Sequence, residues 1–247
     1  MREKFALACQ LVSLIFLWLL EKKRLIPQRI IINSKGTLYS ELDVDWKNNT
    51  EKEIFSNPIL PDPDVVALMV ESLFLGTTIF DQLEKQGELN DGFTIVEAME
   101  KLKQFDTIPN DLECICIDSY EDSGDGAAMF YMFKKAIDSP YLGSFEKLYF
   151  IVGLEGHARS IMYTKVNKSF LYFNCSISKF SGAKYTLNNE DELRKFCRFL
   201  MKDVWQEQES NVVSIYLIKM PDQNIDFPST ASMKKFNRNR NLPIFSD

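Results

Sequence analysis

"MREKFALACQLVSLIFLWLLEKKR", residues 1–24, decides how the rest of the chain is read. Arg2 and Lys4 precede an apolar run from Phe5 to Leu20, and Glu21, Lys22, Lys23 and Arg24 close it. A secretory signal has that charged start and apolar middle, but it also needs a small-residue cleavage site, and EKKRLIPQ offers none. A membrane anchor needs roughly 20 apolar residues; this run is shorter, and Gln10 and Ser13 interrupt it. A helix buried on all sides, at the centre of a folded domain, fits both the length and the all-round apolarity. The core helix is the expectation, with the uncleaved anchor as its rival. In the core reading Cys9 sits in the opening turn, where unpaired N–H groups and the helix dipole favour a thiolate.

Working outward, the composition supports a folded domain. The 247 residues are 45% hydrophobic and 26% charged, with 19 Phe, enough for a sizeable core. A net charge of −6 argues against a general nucleic-acid binder, which needs a basic face to displace counterions from phosphates. The five cysteines are Cys9, Cys114, Cys116, Cys175 and Cys197. An odd count without a C-x-x-C pair speaks against a disulfide framework and against a zinc site, and suits a reducing compartment. Cys114 and Cys116 read as small core residues on one strand. No metal and no cofactor is expected.

The remaining pattern predicts a strand over 28–33, a polar surface excursion over 40–61, and a helix opened by Asp62-Pro63-Asp64 with a break at Gly76. A helix follows over 94–105 and a strand over 112–118. Glu121, Asp122 and Asp125 lack the ordered ligand spacing of an EF-hand loop and read as the solvated start of a helix over 127–137. Strands are predicted over 148–153, 158–166 and 170–175, the last two joined by a tight turn at Asn167-Lys168. An asparagine-capped helix spans 188–206 and a closing strand 212–219. The fold class is therefore α+β: one domain over 1–220, with a mainly helical subregion 1–140 whose Cys-bearing helix packs on an antiparallel sheet in 141–220. Residues 221–247 form a basic, Pro/Asn-rich tail that would at most touch acidic lipid or protein.

Three residues suggest chemistry. A thiol nucleophile needs an imidazole to take its proton and a polar group to orient that imidazole. Cys9 opens the first helix; His157, the only histidine, opens a strand; Asn174 ends the next one. In a hairpin turning near Asn167-Lys168 the last two would lie side by side after a bulge or stagger.

Ala8-Cys9-Gln10 entering a Trp18-bearing apolar helix, Gly156-His157-Ala158 and Tyr172-Phe173-Asn174 together resemble the papain-like cysteine proteases, most nearly the YopT-like bacterial effector proteases. The resemblance implies a papain-like fold, with Cys9 as nucleophile, His157 as base and Asn174 as orienter of a thiol hydrolase, protease or deamidase. It also implies a secreted bacterial effector acting on a host protein in the host cytoplasm; a bacterial cytoplasmic or membrane-anchored protein is the alternative. Where the family places an amide before the nucleophile to bind the oxyanion, this chain has Glu3 and Lys4, leaving Gln10 and Gln28 as candidate donors. That departure supports a second reading, a catalytically silent scaffold of the same fold that binds a host protein. The third is a membrane-anchored protein with an N-terminal transmembrane helix and a structural His157.

Overall fold

Helix α1 (Cys9–Lys23) lies inside the computed structural model, which describes residues 8–23, 29–32, 38–39, 59–61, 63–88, 93–122, 124–154, 157–175, 181–187, 189–204 and 211–225. Every residue of α1 from Cys9 to Leu20 except Trp18 is buried. A run apolar on all sides has no face to offer water, so it is stable only where protein covers it completely. The side chains of α1 are spent on protein contacts, as a core helix requires and a lipid-facing anchor does not.

What covers α1 follows from the strands. β1 (Arg29–Ile32), β2 (Leu38–Tyr39) and β3 (Ile59–Pro61) pair into a small antiparallel sheet. The main sheet has six antiparallel strands in the order β4-β9-β5-β6-β7-β8. These are β4 (Glu113–Asp122), β5 (Lys147–Leu154), β6 (His157–Thr164), β7 (Ser169–Asn174), β8 (Ala183–Thr186) and β9 (Asn211–Lys219). β5 to β8 form a meander, and β9 returns to fill the place between β5 and β4.

The sheet is covered on both faces. Successive strand residues point to opposite sides. Phe150, Val152, Ile161, Tyr163, Phe170 and Tyr172 join one core, under α4 (Ala127–Ile137) and α5 (Glu190–Val204). Their neighbours Tyr149, Ile151, Met162, Leu171 and Phe173 join the other, under α1, α2 (Pro63–Lys85) and α3 (Ile95–Gln104). All six residues of β7 are buried as a result. Helix α1 is pinned to its face by Phe16 tilted against Phe173, ring centroids 4.2 Å apart, and by the Ser160 hydroxyl donating to the Ser13 carbonyl at 2.9 Å.

Several expectations need correction. Gly76 does not break α2; the helix runs unbroken through it, because a Cβ there would stand 2.6 Å from Val12 Cγ2 on α1. Glycine is the residue that lets the two helices approach so closely. The expected surface excursion over 40–61 contains β3, which pairs with β1; its other residues lie outside those described. Strand β4 runs on to Asp122 and forms one edge of the main sheet, so helical and sheet subregions interleave rather than divide near residue 140. Cys114, on that edge strand, is half-buried and packs against the core beneath α1, and Cys116 is half-buried. Asp122 is not solvated: it is buried, and its carboxylate accepts the N–H groups of Gly124, Gly126 and Ala128 at the start of α4. The cap of α5 is Asn189, whose Oδ1 accepts the Glu192 N–H. The basic stretch 234–240 and Gln28 lie outside the described residues.

Candidate functional site

The start of α1, the start of β6 and the end of β7 meet at one end of the main sheet. β6 and β7 are antiparallel with Arg159 opposite Asn174, and the β5–β6 ladder ends at Leu154 opposite His157. Cys9 reaches this end from the α1 side: its sulfur accepts the backbone N–H of Ala158 at 3.2 Å. Folding thus carries the thiol across 149 residues to the neighbour of the only histidine.

Parity then separates the two. Ala158 and Met162 belong to the core beneath α1, and Ser160 bonds to α1. The intervening residues Ile161 and Tyr163 belong to the core beneath α4 and α5. His157 and Arg159 share their parity, and Arg159 stands directly opposite Val152 of that same core. Side chains directly opposite each other in a ladder lie on one face of the sheet. Register therefore puts His157, Arg159 and Asn174 on the α4/α5 face, whereas α1, which carries Cys9, packs on the other. His157 is a diagonal neighbour of Asn174 rather than its partner, with no bulge to bring them level.

On its own side the thiol is enclosed by other groups. Cys9 has no exposed surface. Its S–H donates to Gln10 Oε1 at 3.2 Å, so the amide proposed as an oxyanion donor presents its oxygen to the sulfur. The thiol of Cys175, two residues past Phe173 on the same face, lies alongside. A hydrogen bond with Cys175, then burial, push the Cys9 thiol well above the ordinary range; the Ala158 N–H and the Arg159 charge act the other way and lose. The expectation of a dipole-activated thiolate is overturned: desolvation and a thiol neighbour outweigh the helix start, because the charged form loses water that one N–H does not replace.

Burial raises Cys114 to about 12 and Cys197 well above its usual value. Burial raises the Cys116 thiol as well. Among the described residues no group of three His, Cys, Asp or Glu side chains is placed to hold a metal ion.

Two residues that matter here carry no motif. Cys175 completes the thiol's surroundings, and Arg159 is a buried guanidinium. The signal for the second was present: Arg159 is the only charged residue in the apolar run Ala158–Tyr163. Compared by sequence, the chain matches no protein-family model and none of the curated proteins.

Proposed function

We propose that this chain is a non-catalytic α+β scaffold that works by binding a protein partner, the silent counterpart of the thiol hydrolases it resembles. The setting implied by that resemblance, a bacterial effector inside a host cell, belongs to the same proposal. One observation carries it: the Cys9 thiol has no exposed surface, and a hydrogen bond with the Cys175 thiol, then burial, hold it protonated. Attack on a carbonyl carbon needs a thiolate in contact with substrate and a base within hydrogen-bond reach. A protonated sulfur with no exposed surface provides neither.

A binding role needs surface instead, and α2 supplies it. Val66, Val70 and Phe74 follow one another at single-turn spacing on its outer side, 36%, 58% and 69% exposed. Large apolar side chains left in water in a row on one helix face are typical of sites that another molecule covers. Among the described residues α2 is also the one helix long and apolar enough to cross a membrane; its inner face, from Val65 to Leu83, is packed on the protein.

The catalytic reading keeps one point in its favour, the Ala158 N–H on the Cys9 sulfur beside His157. A thiol-directed alkylating probe separates the two. The scaffold reading expects Cys9 to label no faster than Cys197, with no effect of His157→Ala. Rapid, selective labelling of Cys9 that His157→Ala abolishes would overturn it. A partner retained by Cys9→Ala and lost by Phe74→Glu would place the function on α2.

A further inference from the structure

Arg159 keeps only 5% of its surface exposed, near one end of a sheet covered on both sides. Its Nη1 donates to the carbonyl of the preceding residue, Ala158, at 3.1 Å. Its Nε is buried without an acceptor, and Nη2 makes no hydrogen bond among the described residues. No carboxylate among them pairs with it. Buried or half-buried carboxylates on its own side of the sheet are engaged elsewhere, Glu192 of α5 by the Asn189 side-chain amide at 3.2 Å. Asp118 lies in the same cross-strand row, through Ile215 and Val152, and holds Lys135 at 3.0 Å and the Tyr120 hydroxyl at 2.8 Å. Asp122 accepts three backbone N–H groups at the start of α4.

A guanidinium does not lose its proton in a protein, so burial cannot neutralise it. A buried charge without a counter-charge is strongly unfavourable, and an apolar side chain of similar volume usually does better. The unused donors are not scattered. With Nη1 turned to the backbone, Nε–H and Nη2–H form the side edge of the guanidinium, two parallel donors at the spacing of two oxygens on one carbon or phosphorus atom.

We propose that Arg159 anchors an anion site in which the two oxygens of a ligand carboxylate or phosphate group accept from Nε–H and Nη2–H. Asn174, directly across the ladder, and His157, two residues before Arg159 on the same face, border it. The ligand supplies the negative charge that the described residues leave out, and the planar fork explains arginine rather than lysine at this position. The site lies on the face opposite α1 and makes no use of the Cys9 thiol, so it stands or falls independently of the scaffold reading.

Thermal unfolding of the full chain, followed by circular dichroism in chloride and with added phosphate or acetate at matched ionic strength, tests this. The wild type is expected to gain a saturable rise in Tm with at least one of the two anions, reaching roughly 5–10 °C at about 100-fold excess over its dissociation constant. Whichever anion gives the larger rise identifies the source of the group. Arg159→Met is expected to lose the rise while melting no lower than wild type in chloride, since it removes a charge that lacks its partner. Arg159→Lys keeps the charge without the fork, so its rise should need higher anion concentrations. No rise above chloride with either anion in the wild type would overturn the proposal, whether or not any variant folds. So would an undiminished rise in Arg159→Met, or a large loss of its stability in chloride, which would mark the guanidinium as structural.

Discussion

Replacing Gly76 by alanine sets two well-measured tendencies against each other, and the structure decides the sign. In the interior of an exposed helix the change stabilises by about 0.5–1 kcal/mol, because glycine loses more backbone freedom on folding. Here the new Cβ would lie 2.6 Å from Val12 Cγ2 and 3.1 and 3.2 Å from the Val12 backbone nitrogen and Cα. Val12 is β-branched, so on a helix its side chain has essentially one rotamer and cannot swing away. The backbone atoms cannot swing at all. The two helices must part until these contacts approach the ordinary carbon–carbon separation of about 3.5–4 Å. Overpacking of this kind typically costs about 1–3 kcal/mol. The net expectation is a loss of about 1–2 kcal/mol, or about 2–8 °C in Tm for a chain of this size. Urea unfolding should show a lower midpoint with an unchanged slope. In Val12→Ala/Gly76→Ala the shortest contact disappears, so the double variant should be more stable than the sum of the single effects predicts, by about 0.5 kcal/mol or more. A Gly76→Ala protein that is more stable than wild type would refute the reasoning, since it would mean that α1 and α2 do not touch at Val12.

Asp122→Ala should cost about 3 kcal/mol by equilibrium unfolding, from three backbone N–H groups left without an acceptor at the start of α4, at about 1 kcal/mol each. Burial holds the Asp122 carboxyl above its ordinary value of 3.8 in spite of those donors. Between 3.8 and the raised value the folded chain therefore keeps a proton that the unfolded chain has lost. The stability this proton contributes is full below 3.8 and disappears as the pH rises through the folded value. The stability difference between wild type and Asp122→Asn should accordingly shift toward wild type as the pH falls from 7 to 4, and a shift the other way would show that the carboxylate is not desolvated. Cys114 should alkylate about ten times faster for each pH unit between 7 and 9, because its thiolate remains a small fraction below a pKa of about 12; a plateau near pH 9 would contradict its burial. Phe74→Glu should leave unfolding within about 0.5 kcal/mol of wild type, whereas Leu14→Ala, wholly inside the core, should cost about 2–5 kcal/mol.

The residues of α1 announced their own fate: an apolar run too short for a membrane and closed by charges has one comfortable place, and it occupies it. The hairpin of β6 and β7 was equally legible from its alternating aromatics and polar turn. What could not be read was on which side of the sheet each residue falls. Where only one face of a sheet is buried, polar residues mark the outer side and fix parity. In β6 and β7 both faces are buried, so Ile161 and Met162, or Leu171 and Tyr172, look alike in sequence while pointing in opposite directions. A single step along β6, from Ala158 to His157, turns the side chain toward the face opposite α1. Gly76 misled for a related reason: the same residue breaks helices and lets them touch, and only the neighbour tells which. Asp122 carried no sign that its acidity serves the first turn of α4 and not the solvent.

A sheet sandwiched between helices has given up both of its broad sides to the interior. Any commerce with other molecules is left to its rims and to the outward flanks of the helices. Substitutions in the central strands should then register almost entirely as lost expression or aggregation, and scarcely at all as altered specificity. Variation that changes what the molecule recognises should gather along α2 and around the strand ends where Arg159 and Asn174 meet.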